Sequence, residues 1–382
     1  MASLRPGCDA DVKGAVKSSS GNALVGFLDR FGLIILAVFV LVVLPLALDT
    51  FRLGLAAKYL CFAFPAVGIV LLWGYGGVLS LGQGVFFGLG SYMMAMFLKL
   101  ESAANADSSS GTQLAAFFGT AGLPDFMAWN SVEKLPWWWE PFHHVWFTIP
   151  AILIIPAALA FLLGYANFRR RVSGVYFAIV TLSVSAIMAI VIIGQQGLTG
   201  GINGITDFKT FLGLDLDNDR AKLVMYFVTA VLLLCIVAVG QFILRSRLGR
   251  VLVAIRDGGD RVRFTGYDSA MFQAFVFAVA AVFAAIGGAM FTIQIGLASP
   301  ALVGIIPSIE MVIYAAVGGR LSLIGAVYGA FLVNLAKTFF SENFVEYWIY
   351  FIGALFVIVV MFLPKGLVGI LDYFRGGSKS ER

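Results

Sequence analysis

Residues Arg245 to Asp268 read RSRLGRVLVAIRDGGDRVRFTGYD, six arginines and three aspartates set between two long apolar segments. Guanidinium groups at that density recognise carboxylates and phosphates, so the chemistry available here is ionic docking rather than bond making. Leu248, Val251, Leu252 and Ile255 recur at helical spacing while the arginines take the other faces, which predicts a short amphipathic helix lying on a membrane surface. Excess arginine in a short loop marks the cytoplasmic side of a membrane.

Catalytic chemistry is absent. The chain has no G-x-x-x-x-G-K-[ST] phosphate loop and no H-E-x-x-H, its only histidines are the adjacent His143 and His144, and no nucleophile with a companion base can be assembled. The chain is therefore expected to be non-enzymatic and unable to hydrolyse ATP alone, with no cofactor of its own. Cys8, Cys61 and Cys235 share no metal or redox spacing. The net charge of +5 follows from loop arginines beside anionic lipid and implies no nucleic acid.

Ion-coupled carriage needs ionisable groups inside the bilayer, and Glu310 is the main candidate. Pro307 and Ser308 before it resemble a helix start, where an acid in the first turn is stabilised by the helix dipole. Lys337 is expected to snorkel from a span end to the interface.

The elements that position these residues are membrane spans. The 382-residue chain is 60% hydrophobic and 12% charged, with a mean hydropathy of +0.94, a balance that soluble domains do not show. Lipid leaves no backbone group unsatisfied and the runs do not alternate as barrel strands do, so an all-α polytopic membrane protein is predicted. Roughly ten spans of about 20 residues are read: Leu33–Leu48, Tyr59–Gly74, Gly84–Leu98, Trp146–Ala166, Gly174–Gly194, Leu223–Leu244, Met271–Leu297, Leu302–Gly319, Leu321–Lys337 and Tyr347–Leu363. This divides the chain into a cytoplasmic tail 1–30, a transmembrane domain 31–366 with an outer loop 99–145 and a basic loop 245–268, and a cytoplasmic tail 367–382.

An even number of spans places both termini, Arg169 to Arg171 and the arginine loop in the cytoplasm. The loop Lys99–His144 then faces outward with two bases against five acids. Arg52 and Lys58 outside the first span run against the rule. Trp137, Trp138 and Trp139 beside Pro136 are expected to anchor at the interface.

Glycine is concentrated in GYGGVLSLGQGVFFGLGSY, Gly74 to Tyr92, and again at Gly194–Gly204 and at Gly318, Gly319 and Gly325. Such runs either let helices pack closely or break them beside a solute path, and breaks in both halves of a chain point to an inverted-repeat transporter. The polar and small groups assigned to the path are Ser80, Gly82, Gln83, Gly84, Thr199, Gly200 and Asn203.

Several blocks carry a family likeness: GGVLSLGQGVFFGLGSY (Gly76–Tyr92), SGVYFAIVTLS (Ser173–Ser183), LTGGINGI (Leu198–Ile205), SRLGRVLVAIRD (Ser246–Asp257) and SIEMVIYAAVGGR from Ser308. The chain resembles a permease subunit of the branched-chain amino acid type of ABC transporter. GLPDFMAWN (Gly122–Asn130), LPWWW (Leu135–Trp139) and RVRFTGYD (Arg261–Asp268) resemble the urea-transport branch. The resemblance implies an importer in the bacterial inner membrane built with a second homologous permease, two cytoplasmic ATPase subunits that bind ATP, and a periplasmic solute-binding protein. Urea is the solute implied, branched-chain amino acids the alternative, with an ion-coupled carrier and a passive urea channel outside the family. The resemblance also implies a coupling helix, in which Arg247, Leu248, Gly249, Arg250, Ala254, Ile255, Arg256 and Asp257 dock in an ATPase groove, with Gly249 giving close approach and Arg250 and Arg256 pairing with acids.

Two departures stand out. Leu321 and Ser322 replace the family's usual glycine and threonine, which predicts looser packing at that inner turn. Gly258 and Gly259 precede Asp260 where an acid usually comes sooner, which predicts an altered ATPase contact.

Overall fold

The structure, a computed structural model, describes residues 32–108, 123–344 apart from 131, 133, 173, 209, 217 and 265, and residues 350, 353 and 354. The tails 1–30 and 367–382, the span Tyr347–Leu363 and part of the outer loop lie wholly or largely outside the described residues.

Helix α1 covers Gly32–Ala47 and α2 Thr50–Tyr75, the latter closing in a π-helical turn Val70–Tyr75. Helix α3 is Gln83–Ser108, α4 Val145–Arg169, α5 Val175–Gly194 and α6 Asp219–Arg245. Helix α7 is Arg247–Phe264, α8 Ser269–Ile295, α9 Ile305–Gly318 and α10 Leu323–Asn343. Six of these are long and apolar enough to cross a membrane, and α1 and α9 are shorter apolar helices. The nine predicted spans that fall on described residues each coincide with a helix, but several boundaries move. Helix α2 starts at Thr50, so Arg52 and Lys58 belong to a span rather than to a loop. Helix α3 runs ten residues past the predicted Leu98 to Ser108. The amphipathic helix expected in the basic segment is present as α7, Arg247–Phe264.

Side-chain caps set several starts. Asn218 accepts from the Arg220 N–H at 3.2 Å and Asp268 from Ala270 at 3.0 Å. At the inner turn Ser322 accepts from Gly325 at 3.0 Å. That turn is tightly packed, contrary to the looser packing expected: Gly318 lies against the Gly325 carbonyl, and serine caps α10 as the usual threonine would.

Small residues pack the core. Lipid is as apolar as leucine, so helices associate where glycine and alanine let backbones approach. Gly68 of α2 rests on Ala280, Gly287 on Cys61 and Phe64, Gly90 of α3 on Ala285, and Gly288 on the Phe87 carbonyl. Helices α2, α3 and α8 are accordingly largely enclosed, whereas α4 and α5 keep long exposed apolar faces. Two short antiparallel pairs lie at one end of the bundle, Ile205–Thr206 with Leu297–Ala298 and Thr210–Phe211 with Leu214–Asp215.

The tryptophans divide. Trp137 is exposed as an anchor should be, but Trp139 is fully buried against Phe126 and Trp138, so it is core and not interface.

Candidate functional site

Between α2 and α3 the chain leaves helical geometry, passes Gly77 at φ +70°, and restarts at Gln83. A second restart, α9 at Ile305, meets it: the Gly84 N–H donates to Ser308 Oγ at 3.2 Å. Phe86 contacts Phe277 and Gly90 contacts Ala285, so this meeting point lies level with the middle of α8. Hydroxyls from the middle of α5 complete it. Thr181 Oγ1 accepts from the Leu81 N–H at 3.1 Å, Ser185 donates to the Val303 carbonyl, and Ser185 and Ser308 lie 3.0 Å apart. Ser80, Gln83, Thr181, Ser185 and Ser308 are all buried.

Gln83 stands out among them. Its side chain is 0% exposed, and among the described residues neither its amide nitrogen nor its oxygen has a hydrogen-bond partner. A buried unsatisfied polar group costs about 1–3 kcal/mol, so its presence requires a reason.

Of the predicted path residues, Ser80, Gly82, Gln83 and Gly84 come together here. Gly82 abuts the Thr181 carbonyl and Gly84 abuts Ser308, so neither position has room for a side chain. Thr199, Gly200 and Asn203 do not join them. Thr199 is spent on the carbonyls of Ile192 and Gln195 at 2.7 and 2.8 Å, Gly200 turns the chain at φ +76°, and Asn203 is exposed. They build the loop after α5, which Gly204 seats against Ala298. Thr181, Ser185 and Ser308 were missed by sequence reasoning. The available signal was a set of hydroxyls inside apolar spans, and Ser308 had been assigned to a helix start.

At the other end, α7 turns its apolar side toward the protein. Leu252 and Ile255 are buried, so these two members of the apolar periodicity seat the helix on its own spans. Gly249 is buried too, against the Leu244 carbonyl, where the tight turn out of α6 leaves no room for a side chain. The outward stripe is Arg247, Arg250, Ala254, Asp257 and Arg261. Arg256 points inward: its Nη1 donates to the Gly74 carbonyl at 2.7 Å and its Nε to Asp257 at 2.8 Å, and its stem lies against Gly77. The hydrogen bond from Arg256 holds the Asp257 carboxyl below its usual pKa. Backbone at Gly258 is non-helical and kinks α7 there.

Glu310 and Lys337 also differ from expectation. Glu310 lies beyond the first turn of α9, and its carboxylate takes a 2.7 Å bond from Lys337 and a 3.1 Å bond from Tyr314. Lys337 thus pairs within the protein instead of snorkelling. Among the described residues no group of three metal-ligating side chains occurs.

Residues 51–360 match the family described as the branched-chain amino acid transport system permease component. The chain is 24% identical to the high-affinity branched-chain amino acid transport system permease protein LivM of Escherichia coli K12, covering 96% of this chain and 84% of LivM. It is 24% identical to permease protein BraD of Pseudomonas aeruginosa, over 81% of this chain and 91% of BraD. It is also 22% identical to LivH of E. coli K12, over 81% and 91% respectively. No solved structure matches. A membrane fold of glycine-packed helices, matched over most of its length, places this chain in the family of branched-chain amino acid type ABC transporter permeases, as a non-catalytic membrane subunit.

Proposed function

We propose that this chain is one of two homologous permeases in an ATP-driven importer of the bacterial inner membrane, and that its solute is urea. The observation carrying the solute is Gln83, a buried amide with both atoms unpartnered level with the middle of the spans. Urea presents a carbonyl and N–H groups and no charge, so it matches a carboxamide surrounded by hydroxyls. The cluster's hydrogen-bond partners among the described residues are hydroxyls and backbone groups. Broken helices that meet at mid-depth are where transporters hold solute.

The driving force comes from partners. Two ATPase subunits bind ATP and meet the stripe Arg247, Arg250, Ala254, Asp257 and Arg261 within residues 245–268, while a periplasmic binding protein delivers solute to the outer loops. Both termini lie in the cytoplasm. Closure of the ATPases pushes α7, and Arg256 carries the push to Gly74 and the loop before Gln83.

A second reading is import of a branched-chain amino acid, which the names of LivM, BraD and LivH favour. Disruption of the gene in its host, followed by uptake of labelled urea and labelled leucine at micromolar concentration, separates the two. Loss of urea uptake alone is expected; loss of leucine uptake alone would replace urea by the amino acid. In vesicles, uptake without nucleotide would indicate a channel, and collapse by ionophores an ion-coupled carrier.

A further inference from the structure

Gln83 is fully buried, so whatever meets its amide must first displace what seals it. On the side remote from α7 the seal is the stretch between α8 and α9. It leaves α8 at Gly296, which has φ +72° and open space around it. It then pairs Leu297–Ala298 with Ile205–Thr206, makes one 3-10 turn at Pro300–Leu302 and enters α9 at Ile305. Val303, fully buried at its tip, sits in a slot on α3 cut by Gly84 and Gly88, one helical turn apart. Gly84 receives the Val303 carbonyl and Ser308, and Gly88 receives the Val303 side chain, with which a Cβ would collide.

Two hydroxyls hold this plug. Ser185 Oγ donates to the Val303 carbonyl, Ser308 Oγ donates to the Gly304 carbonyl at 2.9 Å, and the two oxygens lie 3.0 Å apart. A hydroxyl has one proton and rotates, so each of the two has a second acceptor within reach and neither is stranded when one contact breaks. The slot, by contrast, is fixed. Gly288 lies on the Phe87 carbonyl and Gly90 on the Ala285 carbonyl, and these backbone contacts lock α3 to α8. The plug is the part with room to move: Ala301, Ile305 and Ile306 on its far side are exposed.

We propose that Pro300–Ser308 is the gate through which solute enters, with Val303 as its plug and Ser185 as its latch. The inference rests on the reading of Gln83 as the solute site and adds the segment that admits solute to it. The handle is the strand pair Ile205–Thr206 and Leu297–Ala298, because it joins the gate to the loop after α5, where Ile202 is 74% exposed and within reach of a solute-delivering protein. Arg256 acts on Gly74 and Gly77, before Gln83 and on the opposite side, so entry and drive use separate segments.

The test uses the whole complex in proteoliposomes with ATP and its binding protein, carrying the pair Ser185→Cys, Ser308→Cys. Oxygens 3.0 Å apart become sulfurs that need a small shift to bond at about 2.05 Å. Copper phenanthroline in air oxidises the two thiols to the disulfide, peptide mass spectrometry identifies it, and dithiothreitol reduces it again. Each sample is its own reference: uptake of labelled urea or leucine, whichever the complex carries, should be lost on oxidation and return on reduction. Ser185→Ala should take up solute without the binding protein, which the natural complex should not. Uptake unchanged by the disulfide, a pair that forms none, or a Ser185→Ala complex that still requires the binding protein overturns the proposal. Gln83→Leu, measured alongside, reports on the solute site by itself: normal uptake in that variant moves the site elsewhere, while loss of uptake in the disulfide-locked protein still identifies the gate.

Discussion

The Nη1 of Arg256 donates to the carbonyl oxygen of Gly74 at 2.7 Å, joining two residues 182 positions apart. Gly74 in turn lies against the Arg320 carbonyl, and Tyr75 donates to that of Leu321 at 2.6 Å. One guanidinium thus connects α7, the end of α2 and the turn between α9 and α10. Arg256→Ala removes the connection and leaves the apolar seat of α7, Leu252 and Ile255, intact. The complex should assemble and hydrolyse ATP while uptake per ATP falls at least roughly tenfold, about 1.4 kcal/mol of lost coupling. Equal uptake per ATP in the variant would show that the push travels by another route.

The outward stripe and Gly249 make separable predictions. Arg250→Glu reverses a charge on an exposed face, so the chain should insert normally but capture ATPase subunits less well, and the defect should shrink as salt rises. Gly249→Val should behave differently. Its side chain would collide with the Leu244 carbonyl inside the chain, so the α6–α7 turn fails and the protein is lost from the membrane. Pull-down of the ATPases at two salt concentrations, with membrane abundance measured alongside, checks both.

Gln83 offers a trade of stability against function. Gln83→Leu keeps the volume and removes an unsatisfied amide, so unfolding should become harder by about 1–3 kcal/mol. Uptake should fall in the same protein. A leucine variant that is more stable and transports normally would mean that Gln83 has no part in the path.

Sequence patterning revealed the spans because each is a long apolar run, and it revealed Ser80, Gln83 and Gly84 because polar groups in a glycine run are conspicuous. It failed where the same pattern supports two arrangements. Leu248, Val251, Leu252 and Ile255 form an amphipathic face whether that face meets lipid, a partner or the chain itself, and only tertiary contact decides. Thr199 resembles a path residue until its hydroxyl is seen capping a helix end. Glu310 was misplaced because Pro307 imitates a helix start inside a helix that begins two residues earlier. Lys337 could not be paired with Glu310 without knowing that α9 and α10 fold back on each other.

Gly288 is the tightest point between α3 and α8, lying on the Phe87 carbonyl. A Cβ there cannot be accommodated by rotating a side chain, because the obstacle is backbone. Gly288→Val should abolish accumulation in the membrane, whereas Gly54→Val, at a glycine with open space around it, should be tolerated. Comparable abundance of the two variants would show that this helix contact is not what holds the core.

The Glu310–Lys337 pair separates structural from transport roles for charge within the spans. Their side chains are 18% and 31% exposed, so the pair is partly desolvated, and Lys58 lies within electrostatic reach of both. Glu310→Gln removes the carboxylate that both Lys337 and Lys58 feel and leaves their mutual repulsion. Breaking a buried pair costs about 3–5 kcal/mol, and partial exposure reduces this to about 1–3 kcal/mol. Lys337→Met should cost less, because Lys58 still offsets Glu310. The double variant Glu310→Gln, Lys337→Met should recover part of the loss, since one lysine then stands without either a partner or a like-charged neighbour at 337. A structural pair predicts that uptake in all three follows the amount of folded protein and stays insensitive to ionophores. A carrier that moves a proton or sodium through Glu310 predicts the opposite: Glu310→Gln would accumulate normally, hydrolyse ATP normally and lose all uptake. Uptake normalised to folded protein, measured with and without an ionophore, decides between them.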